Sequence, residues 1–493
     1  MKKKYRLSTL SETPQILKQR HDFRAMSVFT NAAHMLVYMC AIVTVFCTIL
    51  AIRLPNATAV EALVRSQTIG DAYAHLRTDG TEVPRRRIHQ LLGLDLFDLA
   101  GDGSNSLFFV SSFRFSGDFG VEQRDLDAGP QLDRQDIAIL YAYLEARNIA
   151  GFLDISAGRQ YEIDAIDMLL YDGIRLRAKT PWYFGVEVLS GVEARNGWGP
   201  VSVNSHELDG TIEQLLTENG KTEDAAPRLV LGAGVFLTDL AYTQLEIGFR
   251  RIQELSSDGF VNQQRLGGVF SQRIVEGLFV DGSLSFDFYQ SLINEIRGGV
   301  RYRPIHMIEV EAQYQYLIPS FDADSIWNVF SWRPLNRAQE RLRVFFGESL
   351  FAYVGTYQSF YGADSSVTQF SVDETVQDLG FSGGARWTVE RGTHVYVDFT
   401  TQFGYGGDHT MVDVGGQVSF LDNTLALDAR LMLILFEDQV QQGLNGTMFG
   451  AQISGSWQFA EQGRLQLLVE EASTQLQPAW VRVLALVDLE LWL

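Results

Sequence analysis

From about Leu107 to Leu493, apolar and polar residues alternate in stretches of roughly 8–12 residues that break at Gly, Asn, Asp or Pro. Alternation at period two predicts strands whose two faces meet different environments. In Thr243 to Phe249 one face carries Thr243, Leu245, Ile247 and Phe249, and the other Gln244, Glu246 and Gly248, continuing to Arg250. In Ile308 to Tyr316 the faces are Ile308, Val310, Ala312, Tyr314 and Tyr316 against Glu309, Glu311, Gln313 and Gln315. Leu425, Leu427, Ala429, Leu431, Leu433 and Leu435 line one side of a third stretch, with Asp428 and Arg430 opposite. Helical periodicity is scarce, and nothing reads as βαβ.

A soluble sandwich also alternates in this way, so connection lengths have to decide. The pattern yields about 20 candidate strands. Short connections lie near Asn148, Lys179, Thr238, Val275, Pro304, Gly347, Glu390, Leu421 and Ala460. Longer ones run through residues 117–135, 191–228, 318–338, 362–377, 437–444 and 473–478. Tight turns at one rim and long loops at the other are the plan of an outer-membrane barrel. The short stretch Tyr289 to Ser291 breaks the alternation.

The C-terminus adds a second sign. Val481, Val483, Ala485, Val487, Leu489, Leu491 and Leu493 form one apolar face, with Arg482, Asp488 and Glu490 opposite. This segment resembles the C-terminal assembly signal of Gram-negative outer-membrane barrels, although those usually end in Phe or Trp and here Trp492 falls on the other face. Over residues 107–493 the chain resembles porin-type outer-membrane proteins. Gly158-Arg159-Gln160-Tyr161 is similar to the Gly-Arg-Gln of some substrate-selective porins. The resemblance implies a transmembrane, antiparallel, up-and-down all-β barrel of about 20 strands, in the range 16–22. It also implies a last strand that is read by the barrel-assembly machinery and closes against the first. Outer-membrane lipid and lipopolysaccharide would surround such a barrel, small solutes would pass it, and it would be a monomer or a homotrimer.

The N-terminal part differs. Lys2, Lys3, Lys4, Arg6, Lys18, Arg20 and Arg24 precede the apolar run Met35 to Ile52, and Ala57-Thr58-Ala59 follows it. This order predicts an exported chain with a signal peptide over residues 1–59. Residues 60–105, including Arg85-Arg86-Arg87, read as a periplasmic or lumen-docked segment ahead of a barrel at 106–493. That segment is too short for the folded plug of TonB-dependent transporters.

Composition narrows the function classes. Hydrophobic residues make up 46% and mean hydropathy is -0.02, which excludes a polytopic helical membrane protein. Both cysteines, Cys40 and Cys47, lie in the apolar run, so disulfides, zinc–thiolate sites and thiol chemistry are excluded after it. Beyond residue 59 the chain has 32 basic and 58 acidic side chains, a net charge of -26, which disfavours nucleic-acid binding.

If the apolar faces meet lipid, the opposite faces line a lumen. The candidate pore-lining residues are Arg114, Arg147, Arg175, Arg177, Glu187, Glu246, Arg250, Arg297, Arg301, Glu309, Glu311, Arg341, Arg343 and Asp398. Unpaired charge in a dry wall is costly, so such a set is either solvated or paired. The reading is therefore a porin-like channel for passive diffusion of small hydrophilic solutes. An acidic connection at 191–228 and an apolar one at 318–335 are candidates to narrow it. Asp125, Asp127, Asp133 and Asp136 are placed to bridge cations to lipopolysaccharide, although solvated acidic loops explain them as well. A closed barrel that binds partners through its loops is the alternative, since Tyr141, Tyr143, Tyr242 and Tyr396 lie among the charges. A barrel hydrolase is the second alternative. His394 shares a face with Asp398, and Asp408-His409-Thr410 reads as a loop, but no nucleophile elbow, metal-binding His pair or P-loop accompanies them. The sequence implies no cofactor.

Overall fold

The computed structural model describes residues 61–492, apart from 77–81, 101–105, 121–134, 195–226, 239, 256–258, 319–333, 363–375, 391, 405–406, 438–444 and 475–479. The predicted signal peptide, most of the 191–228 and 318–335 connections, and Asp125, Asp127 and Asp133 lie outside the described residues.

The chain forms a single sheet of 22 strands. The strands are β1 (Glu61–Leu76), β2 (Glu82–Phe97), β3 (Leu107–Asp118), β4 (Gln135–Ile149), β5 (Leu153–Ile163), β6 (Met168–Lys179), β7 (Phe184–Glu193) and β8 (Arg228–Leu237). Next come β9 (Thr243–Glu254), β10 (Val261–Val275), β11 (Leu278–Asp287), β12 (Leu292–Ile305), β13 (Ile308–Leu317), β14 (Leu335–Phe346) and β15 (Leu350–Tyr361). The last are β16 (Val376–Glu390), β17 (Thr393–Gly404), β18 (Asp408–Phe420), β19 (Leu425–Glu437), β20 (Gly446–Ala460), β21 (Gly463–Ser473) and β22 (Trp480–Trp492). Each pairs antiparallel with its sequence neighbours. β1 also pairs with β22, Asp71 opposite Leu484 and Thr68 opposite Val487, which closes the barrel and leaves no free edge.

Most turns at one rim are tight, the β2–β3 connection of residues 98–106 excepted, and residues with positive φ make many of them. Asn148, Ala150 and Gly151 turn β4 into β5, and Leu421, Asp422 and Asn423 turn β18 into β19. Such conformations match the twist of paired strands. At the β10–β11 turn only glycine fits: Gly277 has φ 79°, and a Cβ there would lie 2.5 Å from the Arg303 carbonyl oxygen. The other rim carries the longer connections, yet residues 164–167, 288–291 and 405–407 there are short.

Two expectations change. Residues 60–105 do not form a separate segment; they supply β1 and β2, which raises the strand count to 22 and moves the start of the barrel to Glu61. The alternation of β1 is hard to see because its convex positions are small or polar: Ser66, Thr68, Gly70 and Ala72. Likewise Asp408-His409-Thr410 is not loop but the first residues of β18, with His409 opposite Phe436 on β19.

Register separates the two faces. Glu145, Ser156, Arg175, Leu189, Gly232, Arg250, Arg265 and Asp287 stand in one row across β4 to β11. This is the concave face, because its side chains converge: Tyr353 and Tyr357 reach across β16 to Asp398 and Gln402 on β17. The convex face carries exposed apolar residues such as Ile247, Val354, Val395, Val397, Leu431 and Ile453. Tyr302, Phe346, Trp387, Phe420 and Trp457 are exposed on it near the tight-turn rim, an aromatic girdle at the height of a membrane interface. Other aromatics near strand ends, Tyr353, Tyr357, Tyr361 and Trp480, face the lumen side.

Candidate functional site

The register puts all fourteen candidate residues on the concave face, but it does not bring them into one cluster. They fall into sectors of different character.

At the closing seam the charges are paired. Asp71 accepts hydrogen bonds from Arg87 at 2.8 Å and Arg482 at 3.3 Å, so one buried carboxylate ties β1 to both neighbours. Arg65 pairs with Asp95 at 2.8 Å, and Asp488 accepts from Gln67 at 2.7 Å and Arg464 at 2.8 Å. Trp492 stacks on Phe97 with ring centroids 5.9 Å apart, which explains why the last aromatic leaves the apolar face. Arg114 is buried here opposite Leu91. Arg147 pairs with Glu145 at 2.8 Å and lies over Phe108 at 4.3 Å.

The second sector is an inward turn. Residues 164–167, between β5 and β6, fold over the inner wall and are held on β9 and β10. Arg250 donates to Asp164 at 2.8 Å and also pairs with Asp167; Arg265 donates to Asp167 at 3.0 Å. The Ala165 amide donates to Glu246 at 3.2 Å. Asp164 also accepts from the amides of Ile166 and Asp167, which makes the turn rigid. Glycine provides the seat: a Cβ on Gly267 would lie 2.3 Å from the Ala165 carbonyl oxygen. On the same wall Leu169, Tyr171, Leu189, Val230 and Ile252 form a buried apolar cluster. Arg175 pairs with Glu162, while Arg177 lies 3.9 Å from Glu187 and 3.9 Å over the Phe236 ring. Arg250 is 1% exposed. Breaking its pairing would leave a buried charge, at a cost of about 3–5 kcal/mol.

The third sector, β12 to β17, is richer in unpaired cations. Concave positions of β12 to β14 carry Glu295, Arg297, Arg301, Arg303, Glu309, Glu311, Arg337, Arg341 and Arg343. Arg343 holds Glu309 at 2.5 Å and Glu311 at 3.1 Å, and Arg297 holds Glu295 at 2.8 Å. Among the described residues Arg301, Arg337 and Arg341 make no ion pair; they lie over the rings of Phe279, Tyr357 and Tyr353 at 5.7, 5.1 and 5.4 Å. Such stacking keeps a cation charged and directed without neutralising it. Tyr353 donates to Asp398 at 2.6 Å, and His394, four residues earlier on the same extended strand, does not meet that carboxylate. Gly384 makes the crossing possible: a Cβ there would lie 2.3 Å from Asp398 Oδ1 and 2.7 Å from the Tyr353 ring.

Sequence reasoning missed Asp164, Asp167, Arg265, Arg337 and the three tyrosines. The tyrosines were detectable, since Tyr353, Tyr357, Ser359 and Tyr361 alternate against Val354, Thr356 and Phe360. Asp164 and Asp167 were not, because nothing local says that a short connection folds inward. Arg159, singled out within Gly-Arg-Gln-Tyr, is on the convex face, paired with Asp172 at 2.7 Å. Among the described residues, no group of three His, Cys, Asp or Glu is placed to hold a metal ion.

No family model and no curated protein matches this sequence. Among solved structures the chain is similar to the siderophore receptor PirA from Pseudomonas aeruginosa, at 10% identity, over 87% of this chain and 80% of that one, with a TM-score of 0.53. A mutant of the ferric enterobactin receptor PfeA from the same organism aligns over the same shares at 10% identity and a TM-score of 0.50. A BenF-like porin from Pseudomonas fluorescens aligns over 88% of this chain and 99% of that one, at 11% identity and a TM-score of 0.45. At such identities the fold is what is shared, and this chain has the closed antiparallel barrel fold of Gram-negative outer-membrane proteins.

Proposed function

We propose that the protein is an outer-membrane channel through which small hydrophilic solutes diffuse passively, with a wall that favours anions along β12 to β15. One observation carries this reading: charged side chains on the concave face are open to solvent. Arg147 is 58% exposed, Arg464 55%, Arg297 45% and Arg430 44%. Ions left that open need water beside them, and a barrel of more than 16–18 strands has room for it. The anion preference follows from the six arginines against three glutamates on the inner faces of β12 to β14, where Glu309 and Glu311 are both held by Arg343. The acidic excess of the whole chain does not act at that wall, since close charges dominate over screened distant ones.

The strand count supports a second reading as a gated uptake barrel, because outer-membrane barrels of 22 strands can hold a filled lumen. Single-channel recording of the purified, refolded chain in a planar bilayer separates the two. Discrete current steps that scale with salt, with a reversal potential on the anion side in a salt gradient, are expected of the channel. A folded barrel that gives no steps would reject passive diffusion and favour the gated reading.

A further inference from the structure

The convex face between β5 and β6 breaks the pattern of the rest of the wall. Arg159 and Asp172 stand opposite each other there, joined by two hydrogen bonds of 2.7 Å, with a third from Arg159 to the Ile139 carbonyl at 3.2 Å. Asp172 is 48% exposed. Exposed apolar residues lie on every side: Ile174 and Leu176 toward the tight turns, Ile163 and Met168 toward the loops, Ile139 on β4, and Val188 and Val192 on β7. The pair therefore does not belong to the interfacial rim; it lies within the apolar band. Most other charges on the convex face of the described strands, such as Arg86, Arg251 and Glu471, sit at the loop rim, and Glu340 is the other one at mid-height.

An exposed ion pair facing hydrocarbon is unfavourable, and charged groups in such positions find partners. The arrangement specifies which partner. The cation and the anion lie side by side at one height, on neighbouring strands. A two-fold axis along the membrane normal, passing between them, places Arg159 of one copy against Asp172 of the other, and the reverse contact with it. Side-by-side opposite charges are self-complementary under that operation, the isologous contact typical of dimers. A three-fold ring would bring two different patches together and leave this symmetry unused. We propose that the β5–β6 face is the interface of a homodimer in the membrane, built around a quartet of two Arg159 and two Asp172 side chains and sealed by Ile174, Val188 and Val192. The inference rests on the convex face being the membrane face, not on the pore being open.

Charge exchange tests it. The full chain would be reconstituted in lipid nanodiscs and its mass measured, with heat-modifiable migration to confirm that each variant is folded. Wild type is expected to be a dimer. Arg159→Asp and Asp172→Arg, each alone, place like charges across the axis and are expected to give monomers. Copies of the two variants mixed during refolding are expected to regain a dimer containing one of each. E340Q is expected to leave the dimer intact. Because the chain has no cysteine after Cys47, Ile174→Cys should form a disulfide between copies, whereas Val354→Cys on the far wall should not. A monomeric wild type, a mixture that fails to pair, or equal cross-linking at the two positions would overturn the proposal.

Discussion

The concave wall shows why single residues of this barrel cannot be read from charge alone. Arg343 and Arg341 are two positions apart on β14 and face the same way. Arg343 is neutralised by Glu309 and Glu311, whereas Arg341 stacks on Tyr353 and keeps its field. Register alone does not set the difference, since Glu311 stands opposite Arg341 and Tyr353 opposite Arg343; the side chains lean along the strands, so that Glu311 meets Arg343 and the Tyr353 ring meets Arg341. Replacing Arg301, Arg337 and Arg341 together with Gln is expected to shift the reversal potential toward cations while leaving the barrel folded. The same triple replacement of Arg65, Arg87 and Arg482 removes cations held by Asp71 and Asp95 at the seam, and is expected to lower stability more than selectivity. Reversal potentials and urea unfolding of the two variants distinguish these outcomes.

At the scale of elements, the β5–β6 turn stands out among the described residues because it folds over the inner wall. A connection of four residues would ordinarily be a plain hairpin. Here Asp164 and Asp167 reach Arg250 and Arg265 on strands four further on, and Gly248 and Gly267 leave space for Ile166. The turn narrows the lumen only while those pairs hold. Arg250→Leu leaves Asp164 without its partner, and is expected to destabilise the protein by about 3–5 kcal/mol. Asp164→Asn with Asp167→Asn keeps the side-chain shapes of the turn but leaves Arg250 buried without a counter-ion, so it releases the turn at a comparable cost. That double variant is expected to raise single-channel conductance, and an unchanged conductance would show that the turn does not lie on the solute path.

At the scale of the whole molecule, the first hairpin is indispensable to closure. β1 pairs with β2 on one side and β22 on the other, and Asp71 draws Arg87 and Arg482 toward the same carboxylate. A chain beginning at residue 106 would expose the edges of both β3 and β22, each a template for unwanted pairing. Such a chain is expected to aggregate on refolding and to lose heat-modifiable migration. A folded, monomeric product of that truncation would show that β3 can close directly on β22.

The period-two alternation, the tight turns at one rim and the apolar face of the last strand were all visible in the chain, because each depends on residues close together in sequence. They were enough for an all-β barrel, for most of its strands, and for the side on which its charges lie. β1 escaped because its convex face is small and polar, so neither of its faces stands out as apolar. Other features depend on residues that meet only across the curved sheet: the inward turn on Arg250 and Arg265, the tyrosines laid across Gly380 and Gly384, and the side of the wall on which Arg159 emerges. Alternation tells which residues share a face. Only closure of the sheet decides which of them meet, because pairing across a barrel is set by register between strands that the sequence places tens to hundreds of residues apart.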